Sequence, residues 1–130
     1  MPFAQSLAGG RGSYYDPPMC LFCKIAGKEI PAKIVFEDDE TLAFRDIHPV
    51  APTHVLVIPK KHIVSLTDAQ DSDQALLGKL LLTAKRVAEL EGRSGEGYRT
   101  VLNSGPNAGQ SVFHVHIHVI AGRPMAWPPG

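Results

Sequence analysis

The chain has 130 residues, of which 44% are apolar and 20% charged, a balance that predicts one globular domain rather than a disordered segment. With 13 Lys and Arg against 13 Asp and Glu the formal net charge is zero, which excludes a basic field for nucleic acid or anionic lipid. Any anionic ligand must be held locally, and the 6 histidines concentrate the side chains that titrate near neutrality.

Residues 1–18, with Gly9, Gly10, Gly12, Pro17 and Pro18 and no periodicity, are expected to form a mobile arm, leaving residues 19–130 as the domain. No run approaches the ~20 apolar residues of a membrane span. The start also lacks a basic region followed by an apolar one, so a cytoplasmic protein is expected, with no membrane partner. The only cysteines are Cys20 and Cys23, in Cys-Leu-Phe-Cys. In a cytosolic chain such a pair is more often a metal or redox device than a structural disulfide.

Residues 32–38 and 41–47 are β-rich and flank the acidic turn Asp38-Asp39-Glu40, which predicts a hairpin. Residues 54–59 form a third predicted strand, stopped by Pro59. Residues 71–91 carry Leu76, Leu77, Leu80, Leu81, Ala84, Val87, Ala88 and Leu90 at helical spacing, giving one broad buried face. Ser72 or Asp73 can cap its start, and Gly92 suits a left-handed residue past its end. Residues 98–102 and 112–120 are two more predicted strands. Strands on both sides of one long helix argue for an α+β fold with a mostly antiparallel sheet.

The most informative segment is His114-Val-His-Ile-His118-Val-Ile120, which alternates imidazole and aliphatic side chains with the period of a strand. This predicts His114, His116 and His118 on one face and Val115, Ile117 and Val119 in the core. Successive imidazoles stand about 7 Å apart at the backbone, too far for all three to reach one metal ion. The preceding loop, Ser104-Gly-Pro-Asn-Ala-Gly-Gln-Ser111, is rich in small residues whose N–H groups could form an anion nest. Neutral imidazole is a competent nucleophile toward phosphorus at pH 7, and neighbouring imidazoles can donate hydrogen bonds to phosphate oxygens.

The run His114-Val-His-Ile-His-Val-Ile120 resembles the signature of the histidine triad (HIT) superfamily. Residues 23–33 (Cys-Lys-Ile-Ala-Gly-Lys-Glu-Ile-Pro-Ala-Lys), residues 51–62 (Ala-Pro-Thr-His-Val-Leu-Val-Ile-Pro-Lys-Lys-His), Gly109-Gln-Ser-Val112 and the terminal Trp127-Pro-Pro-Gly130 are similar to its Hint branch of nucleoside phosphoramidate hydrolases. The resemblance covers residues 19–130. It implies a HIT-like fold with a five-stranded sheet, one long and one short helix, and a homodimer joining two sheets into ten strands. It also implies an adenosine 5′-monophosphoramidase type of activity on a purine nucleotide. His116 would attack the α-phosphorus and form a nucleotidyl-histidine that water hydrolyses.

By the same resemblance His118, Asn103, Gly109 and Ser111 would hold the phosphate and Gln110 would belong to the nucleotide-binding set, with Ser111 assisting the leaving amine and His54 supporting the network behind His116. Asp46 would bind ribose hydroxyls, and Phe22, Ile25, Ile30, Phe44 and Ile47 would wall the base. By simple parity Ser111 lies on the opposite strand face from His116, so its role requires an irregular turn before the strand. The tail would reach the neighbouring protomer's substrate site. Other superfamily members hold a structural zinc through two cysteines and two histidines, which match Cys20, Cys23, His62 and His114 here; a redox-active thiol pair and inert packing are the alternatives. Rival functions are a dinucleoside polyphosphate hydrolase or nucleotidyltransferase, and a nucleotide-binding scaffold. His48, beside Asp46, has no assigned role.

Overall fold

A computed structural model describes residues 16–130. Most of the expected arm, residues 1–15, lies outside the described residues. Its described end turns into the domain, where the Asp16 carbonyl accepts from the amides of Met19 and Cys20 at 2.8 and 3.0 Å. Helix α1 (Leu21–Ala26) follows, its first turn capped by the Cys20 thiol, which accepts from the Cys23 amide at 3.5 Å.

Strands β1 (Ile34–Glu37) and β2 (Thr41–Arg45) form the expected hairpin. One oxygen of Asp38 accepts from the amides of Glu40 and Thr41 and from the Thr41 hydroxyl, at 2.7 to 2.9 Å, which fixes the acidic turn. Strand β3 (Thr53–Pro59) is buried along its whole length. Helix α2 (Gln74–Leu90), strand β4 (Arg99–Val101) and strand β5 (Ile117–Ala121) complete the fold. The sheet is antiparallel with strand order β1-β2-β3-β5-β4. The α+β architecture read from the sequence is the one observed.

The alternation along β3 explains its continuous apolar run. Val55 and Val57 pack under α2 with Leu80, Ala84, Val87 and Val119, while Leu56 and Ile58 join Phe22, Ile25, Leu42 and Phe44 on the α1 side. Both faces are covered, so the strand is apolar on both faces after Thr53 and His54. Three expectations are corrected. The first three residues of the predicted helix form a separate 3-10 turn, Asp71–Asp73, and the Asp73 carboxylate caps the Gln70 amide and pairs with Lys61 instead of capping α2. Leu81 and Leu90 are exposed, leaving a narrower buried face of Leu80, Thr83, Ala84, Val87 and Ala88. Gly92 does stand at φ 73° just past the helix.

The third correction matters most for the site. The predicted strand over residues 112–120 begins only at Ile117, so His118 alone of the three histidines lies in a strand. The His114 carbonyl is taken by the His116 ring at 2.8 Å and the Val115 amide donates to the Ile63 carbonyl at 2.7 Å, so this stretch cannot run as a regular ladder. The side preference survives the loss of the strand. Val115, Ile117 and Val119 enter the core under α2, and His114 and His116 face Phe22 on the other side.

The two sheet edges differ. β1 carries a bulge between Ile34 and Phe36, and its Glu37 pairs with Lys28 and Lys60. Beside β4 lies an apolar groove lined by Leu66, Leu77, Leu80, Leu81, Thr100 and Val101.

Candidate active site and metal-ligand cluster

Antiparallel pairing of β3 with β5 sets His54 opposite Ile120 and Leu56 opposite His118, so His54 and His118 are diagonal neighbours on one face. His54 Nε2 is 2.9 Å from His118 Nδ1. The Val50 amide donates to His54 Nδ1 at 3.1 Å. An acceptor nitrogen carries no proton, so neutral His54 must carry its proton on Nε2 and donate it to His118 Nδ1. Neutral His118 then carries its own proton on Nε2, where it can be donated onward.

The same accounting applies to His116. Its Nδ1 meets the His114 carbonyl at 2.8 Å, and a carbonyl can only accept, so Nδ1 is the protonated nitrogen. Nε2 of His116 is left as a lone pair. The His116 and His118 rings are 5.0 Å apart between centroids, and Phe22 packs edge-on against His116 at 5.1 Å. Burial depresses the pKa of both histidines, that of His118 to about 4, with the neighbouring His116 and His54 adding to the effect there. Both rings are therefore neutral at pH 7, one presenting a lone pair and the other an N–H.

His114 is turned away from this pair. Its Nε2 donates to the Pro59 carbonyl at 2.8 Å, which leaves Nδ1 bare toward Cys20 Sγ at 3.4 Å, Cys23 Sγ at 3.5 Å and His62 Nδ1 at 3.2 Å. Cys23 Sγ is 3.3 Å from His62 Nδ1. A tetrahedral ion with Zn–N of ~2.0 Å and Zn–S of ~2.3 Å needs edges of about 3.3 Å between nitrogens and about 3.5 Å between nitrogen and sulfur. Four of the donor pairs already stand at that spacing and all four donors lie within 4.8 Å of one another, so Cys20, Cys23, His62 and His114 form a group that could bind a metal. The backbone carbonyl on the far nitrogen of His114 is the usual orienting partner of a ligating imidazole. Burial, with Cys20 beside it, pushes the Cys23 thiol up to about 12, and a dication would reverse that preference in favour of the thiolate.

Asp46, His54 and His118 also bring their donor atoms within 4.8 Å of one another, but this cluster does not suit a cation. The Val50 amide fixes the proton of neutral His54 on Nε2, the atom a metal would need. The cluster works as a hydrogen-bond relay.

The remaining predicted residues separate. Asp46 has one oxygen accepting from the His48 amide at 2.8 Å and the other 3.4 Å from His54 Nε2, so it closes a turn as well as facing the relay. Phe22, Ile25 and Phe44 are packed in the core, Phe22 only 4% exposed, and they back the site instead of lining it. Ile30 is half-buried and Ile47 is 86% exposed. Asn103 is half-buried and Ser111 exposed at the two ends of the loop, and the stretch between Ser111 and β5 is irregular.

The loop corrects the expectation of an anion nest. It folds around a 3-10 turn, Pro106–Ala108, with Gly105 and Gly109 at φ 92° and 91°. The amides of Ala108 and Gln110 donate to Gly105, that of Gly109 to Pro106, and that of Gly105 to the Gln110 side chain at 2.8 Å. Those N–H groups therefore stabilise the loop and do not face a ligand. Gln110 is 5% exposed, and its amide nitrogen donates to the carbonyls of Val64 and Val112 at 2.8 and 3.2 Å. Its role is to brace the loop. Sequence reasoning missed the Val50 amide, the Pro59 carbonyl and the edge-on packing of Phe22 on His116, since backbone partners leave no mark on residue type.

The HIT domain family model matches residues 27–125. An uncharacterized HIT-like protein of Synechococcus elongatus is 59% identical over 110 residues, covering 85% of this chain and 96% of that protein. The crystal structure of a HIT family hydrolase from Legionella pneumophila is 57% identical with a TM-score of 0.84, covering 85% of this chain and 99% of that one. A histidine triad nucleotide-binding protein from Candida albicans is 34% identical with a TM-score of 0.72, covering 84% of this chain and 82% of that one.

Proposed function

The chain belongs to the HIT domain family, and from that premise we propose that it is a hydrolase of nucleoside 5′-phosphoramidates, of the adenosine 5′-monophosphoramidase type. The observation that carries the reading is the pair of opposed tautomers, with a lone pair on His116 Nε2 beside an N–H on His118 Nε2. A nucleophile and a hydrogen-bond donor to a non-bridging oxygen are what in-line attack at phosphorus needs. The words hydrolase and nucleotide-binding in the descriptions of similar proteins agree with it.

In the first step His116 Nε2 forms a bond to the α-phosphorus as the P–N bond breaks. The amine leaves with a proton relayed from solvent through the exposed Ser111 hydroxyl, while His118 and Asn103 hold the phosphate oxygens. In the second step water attacks the phosphorus of the nucleotidyl-His116 as the bond from phosphorus to Nε2 breaks, the water's proton returns through Ser111 to solvent, and nucleoside 5′-monophosphate leaves with the Nε2 lone pair of His116 restored. Neutral donors suffice for one phosphate, in keeping with a chain of zero net charge. Asp46 would hold the ribose hydroxyls once a nucleoside displaces solvent from its carboxylate, with Ile47 and Ile30 against a purine. Gly109 and Gln110 would serve by shaping the loop.

Cys20, Cys23, His62 and His114 would hold a structural zinc, which supplies a cross-link between α1 and the ends of β3 and the histidine run. No cofactor enters the chemistry. The apolar groove beside edge strand β4 supports a homodimer in which two sheets join through that edge, with the exposed Trp127 tail reaching across. Among the described residues no helix is long and apolar enough to cross a membrane, and a cytoplasmic location is proposed.

Acid-stable labelling is not expected of a phosphohistidine, so the test is rapid quenching into base with labelled adenosine 5′-phosphoramidate. The label should sit on His116. Full turnover by His116→Ala would overturn the mechanism. Faster hydrolysis of diadenosine polyphosphates than of the phosphoramidate would favour the polyphosphate rival, and binding without turnover would favour a scaffold.

A further inference from the structure

His114 does two things at once. Its ring completes the four-donor cluster, and its backbone carbonyl, two residues before the nucleophile, accepts the proton that fixes the tautomer of His116. The residue is fully buried, and its ring is held at both nitrogens, by the Pro59 carbonyl on one side and the donor cluster on the other. A second connection runs through α1. Cys20 caps this helix and Cys23 lies in its first turn, and between them Phe22 packs edge-on against His116 and, at 6.0 Å, against His114. Six residues are far fewer than the ~12–15 an isolated helix needs to persist in water, so α1 depends on whatever anchors it. His118, by contrast, is anchored through β5 and His54.

We propose that Cys20, Cys23 and His62 are positioning residues for His116, which act by clamping His114 and α1 so that the nucleophile presents Nε2 and not Nδ1. The inference rests on His116 being the nucleophile proposed above and on the cluster holding a metal. Its consequence is directional. Releasing the clamp frees the His114 carbonyl and Phe22 to shift, His116 then samples the other tautomer and ring flip, and the attack step slows. Phosphate binding, which uses His118 and the loop, is left nearly as it was.

The test uses the whole chain loaded with zinc, then stripped by a chelator, then reloaded, with Cys23→Ser alongside. Long-range proton–nitrogen NMR reads the His116 tautomer without any substrate. The loaded chain should show a single form protonated on Nδ1, and the stripped chain and Cys23→Ser a mixture, reversed in the stripped chain by reloading. In turnover kcat should fall about tenfold or more on stripping, the size usual for loss of an orienting shell, with the affinity for adenosine 5′-monophosphate little changed. An unchanged tautomer and kcat in a stripped, folded chain would overturn the proposal. Global unfolding on stripping, seen as loss of the helical circular dichroism, would overturn it too, since the cluster would then hold the fold rather than His116. A loaded chain that never cleaves phosphoramidates sinks the hydrolase reading, whereas the tautomer measurement still decides the coupling.

Discussion

His54 donates from Nε2 to His118 Nδ1 across 2.9 Å, and its direction is set by the Val50 amide at the far side of the ring. A side chain on the neighbouring strand thus decides which nitrogen of His118 faces the site. Replacing His54 by Phe should keep the ring volume and remove the donor. We expect kcat to drop about a hundredfold, the lower end of the span for a lost proton-transfer group, with KM changed far less. Steady-state kinetics check this, and an unaltered kcat would remove the relay from the mechanism.

Gln110 makes three side-chain hydrogen bonds from a buried position, one within the loop to Gly105 and two tying it to the carbonyls of Val64 and Val112. Gln110→Ala leaves the Gly105 amide and two carbonyls without their partner, a loss of about 1–3 kcal/mol in stability. Gln110→Glu should be worse than its similar size suggests, because a carboxylate cannot donate to the Val64 and Val112 carbonyls. Denaturant melts of the two variants give the order.

Gly122 has φ 99°, and a Cβ there would meet Pro52 carbons at 2.8 and 2.9 Å and an Arg93 nitrogen at 3.0 Å. Gly122→Ala should therefore destabilise by about 2 kcal/mol or more, combining backbone strain with overpacking. Gly92 has φ 73° but open space around it, so Gly92→Ala should lose only about 1 kcal/mol, from backbone strain alone. Equal effects in thermal unfolding would show that sterics at Pro52 do not matter.

His118 is held neutral by burial, its pKa falling from 6.5 to about 4, and His116 is shifted the same way. In the unfolded chain both take a proton near pH 6.5. The stability they contribute is present above that pH and is lost as pH falls from there through the folded pKa, because the unfolded state binds more protons in that window. Melting temperature should decline from about pH 6.5 toward pH 4, and His118→Gln should flatten the decline. A steady melting temperature over that range would show that His118 is solvated.

Leu81 is 59% exposed on the rim of the groove beside β4. Leu81→Glu should leave monomer folding intact while shifting sedimentation from dimer to monomer. A dimer that persists would put the contact elsewhere.

Four of the strands were legible through β-rich runs bounded by turn residues and Pro59, and the helix was legible because its periodicity reflects burial, as with Leu80, Ala84, Val87 and Ala88 on one side of α2. The side preference of the triad was legible for the same reason, but its local shape was not. A strand and an irregular extended stretch bury alternate residues alike, and only the use of the His114 carbonyl by His116 separates them. The cluster of Cys20, Cys23, His62 and His114 was readable through resemblance to relatives, since residues so distant in sequence have no common period. The loop misled for a plain reason: glycines announce that a backbone can bend, yet say nothing about whether the amides then face a ligand or each other.

The contrast between the sheet's edges bears on growth by strand addition. An edge that is bulged and flanked by the Lys28, Glu37 and Lys60 charges is a poor template for another strand. The apolar groove lies beside β4. If two chains meet through β4, each presents its guarded β1 to the outside, and the combined sheet has no receptive margin left. Assembly by this route stops at two copies, and the same asymmetry that permits pairing prevents a fibre.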